Sequence, residues 1–128
     1  VSLESRYHDP LPMILVDGDR IAQALGNILS NAVDAVSVGG HVLLEVFTSG
    51  QNIVFDVLDN GPGIHLRPGD DLFAPFFTMK EGGTGLGLTI AHRIVTAHHG
   101  TITYANRKEC GARFTIALPA TADSELSL

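Results

Sequence analysis

Two asparagines one helical turn apart, Asn27 and Asn31, are the first residues here whose type and spacing could do chemistry. Apolar residues Ile21, Leu25, Ile28, Leu29, Ala32, Val33 and Val36 recur around them at helical spacing, which predicts a helix capped by Asp17 or Asp19 and terminated by Gly39-Gly40. Counting about 100° per residue from Ile21, the apolar stripe centres near about 40°, while Gln23, Asn27, Asn31 and Asp34 fall between about 200° and 280°. Asn is a poor helix former, so two on one face need a reason. Either the face is a solvated flank, or the amide oxygens hold a hard cation. Uncharged ligands of this kind suit a magnesium ion whose other ligands are phosphate oxygens and water.

A second candidate is Asp59-Asn60-Gly61-Pro62-Gly63-Ile64, at the exit of a strand-like run. Alternation sets Ile53, Phe55, Val57 and Asp59 on one face and Val54, Asp56 and Leu58 on the other. If the first set is covered by helices, Asp59 enters the crevice as a carboxylate in need of donors, and the exocyclic amine of adenine is one. The competing reading is a tight turn. A third candidate is Glu81 to Leu88, glycines at 82, 83, 85 and 87 running into a helix start. Orphan amides and the positive helix end favour phosphate there, and missing Cβ atoms admit it to the backbone. Neither the Walker-type nor the dinucleotide-type glycine pattern matches, so another phosphate loop or a plain hinge remains. Thr78 and Lys80, just before the loop, are a polar group and a cation within reach of such phosphates, or ordinary surface residues.

The elements that must position these groups are legible around them. Val1 to His8 reads as a strand; Val42 to Phe47 and Ile53 to Leu58 read as a hairpin about the turn residues 48–51. A Gly/Pro-rich stretch from Asp59 to Gly83, interrupted by the apolar knot Leu72 to Phe77, is long for a connection and reads as a functional loop. A second helix is expected from about Thr84 to His99, with Leu86, Ile90, Ile94 and His98 on one stripe and Gly100 as its stop. Strands Thr101 to Ala105 and Arg113 to Leu118 close the chain. The sum is an α/β (α+β) two-layer sandwich, helices on one face of a mixed, mostly antiparallel sheet. Residues 1–119 are expected to form one domain and 120–128 a flexible tail.

Composition narrows the partners. With 128 residues and no long linker the chain is one core-forming domain. A net charge of −6 without a basic stripe argues against nucleic acid. No apolar run reaches the roughly 20 residues of a membrane span, so no direct membrane contact is expected of this segment. The lone Cys110, the missing leader and a start without Met suggest a cytoplasmic piece of a longer protein, whose parent is free to be anchored in the inner membrane.

Five segments in one order carry a resemblance: NILSNAVDA at Asn27 to Ala35, DNGPGI at Asp59 to Ile64, LFAPFFTMK at Leu72 to Lys80, GTGLGLTIAHRIV at Gly83 to Val95 and GARFTIALP at Gly111 to Pro119. The sequence resembles the catalytic, ATP-binding domain of sensor histidine kinases, of the GHKL superfamily with its Bergerat fold. The resemblance implies that Asn27 and Asn31 hold Mg on ATP and that Asp59 accepts from the adenine amine, with Gly61, Gly63 and Ile64 shaping the pocket. It further implies a lid from about His65 to Gly83, in which Phe76 and Thr78 contact nucleotide and Lys80 reaches the γ-phosphate. Gly83, Thr84, Gly85, Leu86, Gly87 and Leu88 would surround the phosphates, and Thr115 would assist near adenine. The implied partners are ATP, a helical dimerisation and phosphoacceptor domain of the same parent, and a response regulator.

Departures from the family pattern shape the reading. Asp34 stands where many members have Lys, which shifts cationic contact toward Lys80. Asn27 stands where hydrolysing relatives place a Glu base, and an amide takes no proton from water, which favours phosphoryl transfer. His8-Asp9-Pro10 imitates an acceptor box, but the prolines at 10 and 12 exclude a long helix, and the segment is expected as a loop between two strands. His98-His99 reads as a helix cap and Cys110 as a turn residue. The alternatives are a GHKL-type ATPase or serine kinase, and a non-catalytic nucleotide-sensing module.

Overall fold

A computed structural model describes residues 1–77 and 85–120. Its elements run β1 (Ser2–Tyr7), α1 (Gly18–Ala35), β2 (His41–Ser49), β3 (Asn52–Asp59), α2 (Gly87–Ala97), β4 (Thr101–Asn106) and β5 (Ala112–Pro119). The strands form one sheet in the order β1-β2-β3-β5-β4, parallel between β1 and β2 and antiparallel elsewhere. The fold is thus the expected two-layer α/β sandwich. Val42, Val46, Ile53, Val57, Phe114, Ile116 and Leu118 from the sheet form one core with Ile28 and Ala32 of α1 and Ala91, Ile94 and Val95 of α2.

Asp17 caps α1, its side chain accepting from the Arg20 N–H at 3.2 Å, so Asp19 falls inside the first turn. The helix stops at Ala35, before Gly39-Gly40. Its buried stripe is Ile21, Ala24, Ile28 and Ala32, while Val33 is exposed. Because α1 packs on α2 as well as on the sheet, the stripe is rotated past Ala24 toward the asparagine face. Asn27 and Asn31 are therefore half-buried flank positions.

The same two-sided packing corrects α2, whose buried residues are Thr89, Ala91, Ile94 and Val95, with Ile90 exposed. Its end is a Schellman motif: the Gly100 N–H donates to Val95 O at 3.0 Å and the His99 N–H to Thr96 O at 3.0 Å. The left-handed residue is His99, φ 62°, not Gly100. Gly100 is required by space instead, since a Cβ there would sit 2.5 Å from Ala117 O. His98 closes the helix by accepting the Asp17 N–H on Nε2 at 3.1 Å while Nδ1–H donates to Ile94 O at 2.8 Å. This joins the end of α2 to the cap of α1 through a neutral ring, not through a cation on the dipole.

The β2–β3 turn is two residues, Gly50 and Gln51, with Ser49 paired to Asn52 and Gly50 at φ 59°. Residues 8–17 lead from β1 directly into α1 without the second strand expected there. The prolines break the ladder, and Leu11, Ile14 and Val16 pack singly against the core. His8 pairs with Glu45 at 2.7 Å.

Candidate functional site

Alternation along β3 turns Asp59 toward the helices, where it is 2% exposed. Its Oδ1 accepts from the Gly61 N–H at 2.9 Å and the Ala112 N–H at 3.2 Å. Both bonds fall on the same oxygen, which leaves Oδ2 to accept from a ligand. The surrounding backbone is too close for side chains. A Cβ on Gly61 would lie 2.7 Å from Ala35 O, and one on Gly111, at φ 88°, would lie 1.9 Å from Asp59 O. The Arg107 guanidinium donates to the Asp59 carbonyl at 2.8 Å. The Asn106 side chain clamps Ile64, accepting from its N–H at 2.6 Å and donating to its carbonyl at 2.9 Å. The β4–β5 turn thus braces the whole 59–64 loop.

At the other end, the Asn27 amide donates to Gly87 O at 3.1 Å, which leaves its carbonyl oxygen as the ligand-type atom. Asn27, Asn31 and Ala35 follow at one-turn intervals along α1, so the face that begins at Gly87 ends at Gly61, about 12 Å away along the axis. The N-cap of α2 is Leu86, an apolar residue, and the first-turn amides form the positive end of the helix. Gly85, at φ 73°, lets the Phe76 N–H reach Gly85 O at 3.0 Å; a Cβ would lie 2.4 Å from the Phe76 carbonyl carbon. The Thr89 hydroxyl donates to Phe73 O at 2.9 Å, and Phe73 stacks on His92 with ring centroids 4.8 Å apart. Leu72 is buried. Segment 72–77 is therefore fastened to α2 and to Gly85 just before it. Phe76, at φ 68° and 75% exposed, projects outward from it.

The Asn27–Gly87 and Ala35–Gly61 contacts thus set Asn27, Asn31, Gly85, Leu86, Gly87 and Leu88 toward one end of this α1 face and Asp59, Gly61, Gly63 and Ile64 toward the other. Thr78, Lys80, Gly83 and Thr84 lie outside the described residues. Thr115 does not join them. It pairs with Asp56 on the sheet face opposite the helices and donates to the Asp56 carboxylate at 2.6 Å. The residue of β5 that reaches Asp59 is Ala112, through its backbone. Asn106, Arg107 and Thr89 escaped the sequence reading because their partners lie 42, 48 and 16 residues away. Gly111, a lone glycine opening the last strand, was the only local signal at that turn. Among the described residues no three His, Cys, Asp or Glu side chains are grouped to hold a metal ion, and no helix is long and apolar enough to cross a membrane.

Known proteins resemble this chain in sequence and fold. Residues 16–122 match the family described as histidine kinase-, DNA gyrase B- and HSP90-like ATPase. The sensor histidine kinase ZraS of Escherichia coli K12 is 40% identical over 119 residues, 93% of this chain and 26% of its own length. Sporulation kinase B of Bacillus subtilis is 36% identical over 112 residues, 85% of this chain and 26% of its own. The chain thus spans about a quarter of these relatives. Among solved structures, the catalytic domain of histidine kinase ThkA superposes with a TM-score of 0.82 at 30% identity, covering 93% of this chain and 78% of that one. Full-length ShkA in complex with AMPPNP gives 0.79 at 33%, covering 92% and 25%. ThkA in complex with response regulator protein TrrA gives 0.78 at 28%, covering 94% and 34%. The chain belongs to the histidine kinase-, DNA gyrase B- and HSP90-like ATPase family, as a sensor histidine kinase catalytic and ATP-binding domain of the GHKL superfamily.

Proposed function

We propose that this domain binds Mg·ATP in the groove along α1 and presents the γ-phosphate to a histidine on a helical dimerisation domain of its parent, for relay to a response regulator. The observation that carries the reading is Asp59: a buried carboxylate with both protein hydrogen bonds on one oxygen, beside Gly61 at the end of the α1 face that carries the paired asparagines. Its second oxygen would take the adenine amine, a hydrogen bond that guanine, with a carbonyl in that place, does not offer.

Asn27 and Asn31 fit a magnesium ion by the chemistry of their donors, neutral amide oxygens on one half-buried face, with the Asn27 nitrogen already committed to Gly87 O. When bound, that ion supplies charge neutralisation on the phosphates. The first-turn amides of α2 bind and orient phosphate oxygens, and Lys80 is proposed as the cation at the γ-phosphate. Rate acceleration comes from positioning, since phosphoryl transfer asks little covalent chemistry of the protein. Asn27 cannot accept a proton from water, which supports transfer over hydrolysis. The AMPPNP complex of ShkA and the TrrA complex of ThkA support ATP and a response regulator as partners. A cytoplasmic location follows from the reading, since ATP and the regulator are met there.

Equilibrium binding of a fluorescent ATP analogue tests the site. Asp59→Asn is expected to abolish binding, and Asn31→Ala to remove its magnesium dependence. Unchanged affinity in the Asp59 variant would overturn the adenine assignment. Incubation with ATP and a helical histidine-bearing domain of a relative should give acid-labile phosphohistidine. Rapid phosphate release without it would instead indicate an ATPase.

A further inference from the structure

The sheet face that the helices leave uncovered carries a feature the kinase reading does not use. Arg107, Lys108 and Arg113, three of the chain's eight Lys and Arg residues, fall within seven positions around the β4–β5 turn. They rim an open surface concavity of about 550 Å³ with Leu58 at its floor. Leu58 and Arg113 are register partners, so both point away from the helix layer. Glu109 is the one acid among the lining residues, and among the described residues none of the three cations forms an ion pair.

In a chain of net charge −6, this concavity holds a local excess of two positive charges. A hairpin turn has no structural need for three cations, and their mutual repulsion is relieved by an anion. Arg107 is held in place by its bond to the Asp59 carbonyl, with further N–H groups of the guanidinium still available. Arginine forks match phosphate oxygens bidentately.

We infer that this cavity is a second ligand site, distinct from the groove along α1, which takes a small molecule through a dianionic phosphate group. The assignment stands independently of the kinase reading. Cys110 lines the same cavity and is the sole cysteine, so its alkylation reports occupancy directly.

The test measures the rate of Cys110 alkylation by iodoacetamide in the whole chain, without magnesium, against increasing inorganic pyrophosphate. The expected result is saturable slowing of about fivefold or more, with little effect of chloride at matched ionic strength. Lys108→Glu and Arg113→Glu, both at exposed positions, should each remove the protection, whereas Arg93→Glu, exposed on α2, should retain it. No slowing, equal slowing by chloride, or protection that persists in both cavity variants would overturn the inference.

Discussion

At the scale of single residues, the site is defined by where a side chain is impossible. Gly111 and Gly69 have the same backbone, φ 88° and 89°, yet a Cβ on Gly69 would meet nothing within 4 Å while one on Gly111 would overlap Asp59 O. Gly69→Ala therefore costs only the left-handed strain, about 1 kcal/mol. Gly111→Ala adds displacement of the Asp59 loop and is expected to cost about 3 kcal/mol or more in thermal unfolding, with loss of ATP-analogue binding. Equal costs in the two variants would mean that the loop yields easily. This distinction was half legible in the sequence. Glycines mark positions where the chain turns or approaches something, but which of the two is set by partners 50 residues away. Asp59 itself was legible because strand alternation is local. Thr115 was placed near adenine by resemblance alone; the alternation that sends Phe114, Ile116 and Leu118 into the core sets Thr115 on the opposite face.

Apart from the strand expected between His8 and α1, elements were legible in kind and order, and less so at their ends and buried faces, where contacts between elements decide. The stripe of α1 is shifted toward Ala24 because two partners compete for it, and α2 buries Thr89 rather than Ile90 for the same reason. The end of α2 gives an element-scale prediction. His99 occupies the left-handed position of the Schellman motif and is exposed, so His99→Gly should stabilise the domain by about 0.5–1 kcal/mol, read as a raised unfolding midpoint. His98→Ala should do the opposite by about 1–2 kcal/mol, because the Asp17 N–H and Ile94 O both lose a partner. Thr89→Val keeps the shape of α2 but removes its bond to Phe73 O. Protease cleavage within 65–77 should then accelerate with little change in global stability. A fall in midpoint as large as that of a core truncation such as Ile28→Ala, about 2–5 kcal/mol, would instead make Thr89 a general packing residue.

For the molecule as a whole, binding and stability are one measurement. The groove along α1 exists only when α1, α2, the 59–64 loop and the β4–β5 turn are assembled, so a ligand there binds the folded state alone and stabilises it by mass action. At a hundredfold excess over Kd, Mg·ATP should add about 2.7 kcal/mol, which for a domain of this size raises the unfolding midpoint by roughly 10 °C. The shift should vanish in Asp59→Asn and shrink in Asn106→Ala and Arg107→Ala, which act on Mg·ATP binding by holding Ile64 and Asp59 in place. Positioning and simple destabilisation separate in this experiment. A variant that only weakens the fold lowers both midpoints and keeps the difference between them, whereas loss of the brace reduces the difference itself. A full shift in Asn106→Ala would place the 59–64 loop under the control of its own glycines rather than of the turn 42 residues away.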